Sequence, residues 1–145
     1  MAKLERVREI EKDRAAVVLS DRELARIAAE AKRDKDGYEL ERVQDDMRLS
    51  EGKPLSVESL LELEYYSQVV RRTLNASTEL LNRALTAEGN ARTDLLEKAQ
   101  RAKAVTLYRE HKFEEYSREN SRLEQKEIDE TAGNQYIRTL RDATT

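Results

Sequence analysis

The sequence predicts an all-α protein, a long two-helix antiparallel coiled-coil hairpin. Three observations carry that reading: a composition of helix formers, a sustained seven-residue apolar repeat, and one strong turn signal. Ala, Glu, Lys, Leu and Arg supply 82 of the 145 residues, above the roughly one-half typical of coiled coils and long helices. Proline and glycine, the residues that interrupt helices, number one and four. Charged residues are 39% and hydrophobic ones 38%, enough apolar material for a narrow seam between helices but not for a layered core.

The turn is Ser50-Glu51-Gly52-Lys53-Pro54-Leu55. Gly52 suits a helix C-terminus, and Pro54 cannot continue a helix. Ser56 reads as an N-cap, with Glu58 favourably placed in the first turn that follows. The expected organisation is one hairpin over residues 1–145: helix one about 3–50, loop 51–55, helix two about 56–140 and a polar tail 141–145.

In helix one, Ile10, Val17, Leu24, Ala31 and Tyr38 recur at sevens and predict its seam. Val7 and Ala28 fill the companion position, which Arg14, Asp21 and Lys35 interrupt. In helix two, Leu60, Leu74, Leu81, Leu95, Ala102, Tyr116, Leu123 and Ile137 share one heptad position. Leu63, Val70, Ala84, Ala91 and Val105 share the other. Such a 3-4 alternation buries one stripe against a partner helix. The opposite face is expected to carry i,i+4 ion pairs: Glu79/Arg83, Glu88/Arg92, Asp94/Lys98, Glu97/Arg101 and Glu114/Arg118. Asp36-Gly37 and Gly89-Asn90 are candidate breaks that would give a three- or four-helix bundle. The repeat keeps its phase across both, which argues for continuous helices. Gly133-Asn134 marks expected fraying before the tail.

Helix one covers helix two only as far as about residue 104, in a hairpin of roughly 70 Å at 1.5 Å per residue. Residues of about 105–140 are left without an intramolecular partner, yet carry Val105, Tyr108, Phe113, Tyr116, Leu123, Ile128, Tyr136 and Ile137. Another molecule is expected to cover part of that stretch.

Enzyme chemistry is not expected: no catalytic, cofactor-binding or metal site is legible. Cysteine is absent and His111 is the single histidine, so neither a thiolate nor a histidine-based metal centre can form. No phosphate-cradling glycine loop is present. Asn75-Ala76-Ser77 fits a glycosylation acceptor but lies mid-helix, where chance explains it. A net charge of −3 with finely mixed signs lacks the basic footprint of a nucleic-acid binder. The longest apolar run, Ala15 to Leu19, is too short to enter a membrane as a spanning helix. The opening Met1–Arg6 lacks the apolar core of a secretion signal, so a cytoplasmic location is expected.

One cluster lies off the seam. Tyr65 and Val69 are one turn apart on the outer half of helix two, with Tyr66 alongside and Arg71 and Arg72 following. Single exposed apolar residues are ordinary, whereas a Tyr/Tyr/Val/Arg cluster has the composition of an interface centre. Both readings are open at this stage.

With these residues in view, the sequence resembles the FliJ family of flagellar type III export proteins. Leu4-Glu5-Arg6-Val7-Arg8-Glu9-Ile10-Glu11 is similar to the family's opening helix. Leu63-Glu64-Tyr65-Tyr66-Ser67-Gln68-Val69-Val70 resembles the tyrosine-bearing start of its second helix. Arg122-Leu123-Glu124-Gln125-Lys126-Glu127-Ile128-Asp129-Glu130 resembles its near-terminal acidic-basic signature. The resemblance implies a non-enzymatic stalk, at the cytoplasmic side of the inner membrane by the flagellar basal body, like the central stalk of rotary ATPases. The implied partners are the hexameric export ATPase (FliI-type), the cytoplasmic ring of the export gate (FlhA-type) and export chaperones. Leu4, Val7, Ile10, Phe113, Tyr116, Leu123, Ile128 and Ile137 would then face the ATPase ring, and Tyr65, Tyr66, Val69 and Thr73 the gate. Val69 and Thr73 stand where bulkier residues would be expected. Injectisome stalks of the YscO type share the architecture, and a generic coiled-coil scaffold or self-assembling dimer is the plain alternative.

Overall fold

A computed structural model of the chain describes residues 1–144. It contains two helices, α1 (Ala2–Leu49) and α2 (Val57–Thr144), and no strand among the described residues. Both are unbroken at the sites where glycine threatened them: α1 continues through Asp36-Gly37 and α2 through Gly89-Asn90. α2 also runs through Gly133-Asn134 to Thr144. The fraying expected at Gly133 and the polar tail expected from residue 141 are therefore replaced by helix, with Thr145 outside the described residues. Helix formers on either side of each glycine outweigh its penalty of about 1 kcal/mol relative to alanine.

The connection follows from its turn residues. Gly52 takes a left-handed φ of 79°, which costs a residue without Cβ nothing. The Ser50 hydroxyl donates to the Met47 carbonyl at 2.8 Å, and the Ser50 amide to Asp46 at 3.1 Å, closing the end of α1. Ser56 caps α2: its Oγ accepts from the Ser59 amide at 3.2 Å, satisfying an N–H that has no partner within the helix.

The chain divides into two units, Glu9–Ala99 and Met1–Arg8 with the chain from Gln100 onward. In the first, α1 and α2 lie antiparallel on either side of the loop. Buried and half-buried residues of α2 recur at alternating steps of four and three: Leu63, Ser67, Val70, Leu74, Ser77, Leu81, Ala84, Glu88, Ala91, Leu95 and Lys98, with Thr78, Ala87 and Ala99 half-buried beside them. The apolar members are the heptad residues expected, apart from Leu60, which is exposed. The polar members were not expected there. Glu88 in particular is buried in the seam and not on the outer face.

The seam of α1 differs from expectation. Ile10, Val17, Leu24, Ala31 and Tyr38 all face outward, with Leu24 64% exposed. Ala15, Leu19, Arg26, Ala29, Asp36, Leu40, Val43 and Met47 face α2 instead, and Val43 is only 2% exposed. A shift of two residues turns a helix by about 200°, so the expected stripe lies on the far side. The physical reason is a charge pair across the seam. Arg26 Nε lies 2.5 Å from Glu88 Oε2, while Arg92 and Glu30 extend the network at 3.0 Å from Glu88 and 2.9 Å from Arg26. Turning Ile10 and Leu24 inward would carry Arg26 away and leave Glu88 buried without its closest cation, at several kcal/mol.

In the second unit the first two turns of α1 lie against α2. Glu5 receives the Thr106 hydroxyl at 3.3 Å and Arg109 Nη1 at 2.5 Å, beside the buried Ala102. From Leu107 to Thr144 every residue of α2 is exposed.

Candidate protein-binding surfaces

Two of the exposed apolar surfaces hold the residues singled out in the sequence. The first belongs to the unit built on the terminal part of α2. Leu107, Tyr108, Phe113, Tyr116, Leu123, Ile128, Tyr136, Ile137 and Leu140 are all exposed there. Local ion pairs hold the helix without covering these side chains: Lys112–Glu115 at 2.9 Å, Arg122–Glu119 at 3.0 Å and Arg118–Glu114 at 3.7 Å. Lys112 lies 5.8 Å from the centre of the Tyr108 ring. The carboxylate of Glu115 is held below its ordinary pKa, first by the hydrogen bond from Lys112 and then by that residue's charge. Such pairs are worth tenths of a kcal/mol each, and a single helix gains most of its stability from packing an apolar face.

Where α1 begins, Glu5, Thr106, Arg109, Glu110, Phe113 and Glu114 line a groove of about 700 Å³. Leu4 and Val7 are exposed in this same unit, as are Phe113, Tyr116, Leu123, Ile128 and Ile137. Ile10 is also exposed, but it belongs to the other unit.

The second surface lies in the Glu9–Ala99 unit. Tyr65, Tyr66, Val69 and Thr73 are all exposed on α2, flanking the seam residues Ser67 and Val70. The Tyr66 hydroxyl donates to Glu39 Oε1 at 2.6 Å, and Arg42 Nη2 donates to the same oxygen at 2.6 Å. The bond to Glu39 raises the Tyr66 phenol above its ordinary pKa, assisted by burial and by the charge of Glu39. The Thr73 hydroxyl donates to the Val69 carbonyl at 3.0 Å. A cleft of about 240 Å³ separates the two helices at this point, lined by Asp36, Glu39, Tyr66, Val69, Val70 and Thr73. In the sequence Asp36 stood out only as part of a candidate helix break, and Glu39 not at all. They lie on the other helix, and only folding at the loop brings Glu39 to Tyr66.

His111 is exposed, with Nδ1 3.4 Å from Glu115. Among the described residues no group of three metal-ligating side chains converges, and no helix is long and apolar enough to cross a membrane.

No curated protein and no solved structure matches the chain. A family model does: that of the flagellar FliJ protein, over residues 1–141. The paired helices, the absence of strand among the described residues and that match over nearly the whole chain agree, and this protein belongs to the flagellar FliJ family, components of the flagellar type III protein-export apparatus.

Proposed function

We propose that this chain is the non-catalytic stalk of a flagellar export ATPase, binding the ATPase ring through the terminal part of α2 and the start of α1. The observation that carries the reading is the run of exposed apolar side chains from Leu107 to Leu140, a stretch of α2 in which every residue is exposed. A ring lumen supplies the missing cover, and the paired helices supply the stiffness that a stalk needs. Leu4, Val7, Ile10, Phe113, Tyr116, Leu123, Ile128 and Ile137 are the contact residues in this reading. The Tyr65, Tyr66, Val69 and Thr73 surface would dock on the cytoplasmic ring of the export gate, and emptied export chaperones would be handed over nearby. The site of action is the cytoplasmic face of the flagellar base.

Adding the protein to its cognate export ATPase should raise turnover or ring formation while the protein alone hydrolyses no ATP. Absence of binding and of stimulation at micromolar concentration defeats the reading. The outward stripe Ile10, Val17, Leu24 and Tyr38 favours a second reading, a self-assembling coiled-coil scaffold. Sedimentation that stays monomeric up to high concentration removes it.

A further inference from the structure

We propose that the cleft beside Tyr66 receives a lysine or arginine side chain from the partner that docks on the Tyr65–Val69 surface, with Asp36 as its acceptor. The inference rests on the gate-docking reading above and adds the chemistry of the contact.

Asp36 occupies the heptad position of α1 that holds Ala15, Ala29 and Val43 on its buried turns and the exposed Arg22 on another. An aliphatic residue would fit there and would add to the seam. Instead a carboxylate is present, and its Oδ2 is buried with no hydrogen-bond partner. A buried acceptor left unpaired destabilises the fold. Its neighbours do not relieve it. The Thr73 hydroxyl is engaged by the Val69 carbonyl at 3.0 Å. Arg42, the cation on the same side, is held by Glu39 at 2.6 Å. Glu39 therefore has two donors and Asp36 Oδ2 has none, although both carboxylates line one cleft.

The cleft selects its occupant. An anion is repelled by two carboxylates, and a purely apolar group would leave Asp36 buried and unpaired. A basic side chain satisfies both demands. Its methylene stem packs along Val69 and Val70, and its charged end meets Asp36, as long cationic side chains do on apolar surfaces. Tyr66 adds an aromatic wall favourable to a cation. Side-chain rearrangement on docking, common at interfaces, would open the path from the cleft to Asp36 Oδ2.

The test combines stability with affinity. Asp36→Ala and Asp36→Asn full-length chains are melted, then titrated with the cytoplasmic domain of the export gate at low and high salt. Asp36→Ala should melt no lower than the wild type, because the carboxylate does no structural work. Both variants should bind about tenfold more weakly, the size of one charge-assisted contact, and should lose the wild type's sensitivity to salt. A lower melting temperature for Asp36→Ala, or wild-type affinity in either variant, overturns the proposal. Tyr65→Ala with Val69→Ala in the same titration keeps the two ideas apart. If that double variant loses binding while the Asp36 variants keep it, the docking surface stands and the cleft does not. If the wild type itself fails to bind the gate, both fall.

Discussion

Removing the Glu88 carboxylate is the sharpest probe of how the two helices are set against each other. The Glu88 side chain is 9% exposed and accepts from Arg26 at 2.5 Å and Arg92 at 3.0 Å. Arg26 is 28% exposed and keeps Glu30 at 2.9 Å, so Glu88→Ala does not strand it. Arg92 is 65% exposed, and its share is that of a surface pair, under about 1 kcal/mol. The full cost of breaking a buried pair, about 3–5 kcal/mol, therefore falls to roughly 2 kcal/mol, less a few tenths for alanine's higher helix propensity. Arg26→Ala should cost more, about 3 kcal/mol, because it leaves the more buried partner behind. At roughly 2–4 °C per kcal/mol, Glu88→Ala should lower the melting temperature by about 4–8 °C. Replacing both residues by leucine should restore stability or exceed it. Thermal and urea unfolding followed by circular dichroism, run as a double-mutant cycle, measures the coupling. Single variants within about 0.5 kcal/mol of wild type, with no coupling, would refute the argument that this pair fixes the rotation of α1.

Three further outcomes follow from the same packing. Val43→Ala, at a site 2% exposed, should cost about 1.5–2 kcal/mol at roughly 0.8 kcal/mol per buried methyl group. Leu24→Ala, 64% exposed, should stay within about 0.5 kcal/mol, and the reverse order in urea unfolding would restore the other face of α1 to the seam. Tyr66 carries a raised phenol pKa because it donates to Glu39, so Glu39→Gln should shift one tyrosine's titration to lower pH in ultraviolet absorbance. The stability linked to that phenol is present below its ordinary pKa and is lost as pH rises through the raised value. Gly37→Ala meets only ordinary contact, the nearest atom to a new Cβ being Leu74 Cδ1 at 4.0 Å, and Gly89→Ala meets nothing within 4 Å. Each should therefore raise stability by about 0.5–1 kcal/mol, and a drop in melting temperature in either would show that the helix needs its glycine.

How far the sequence disclosed this structure depends on the helix. In α2 the apolar repeat from Leu63 to Leu95 gave the right stripe, because leucine, valine and alanine occupy most of the buried positions. Ser67, Ser77, Glu88 and Lys98 fill the gaps, and each reads in isolation as a break in the pattern. In α1 the strongest seven-residue repeat lies on the outer face, while the buried face carries Arg26 and Asp36. A heptad period shows that a stripe exists, but it does not say which stripe meets which partner. Hydrophobicity could not choose, because the deciding contact is the ion pair between Arg26 and Glu88. The candidate surfaces divide in the same way. Tyr65, Tyr66 and Val69 were legible as apolar residues off the α2 seam. Asp36 and Glu39 were not, because their meaning appears only when the loop brings them beside Tyr66.

The most direct test of the stalk account is hydrogen exchange by mass spectrometry on residues 107–140, with and without the export ATPase at fixed protein concentration. Every residue of this run is exposed, so its amides should exchange fastest among the helical segments of the free chain. They should become protected when the ATPase ring is added, as ordering at an interface requires. Protection that is already complete in the free chain, or that rises with the chain's own concentration and ignores the ATPase, would contradict the account.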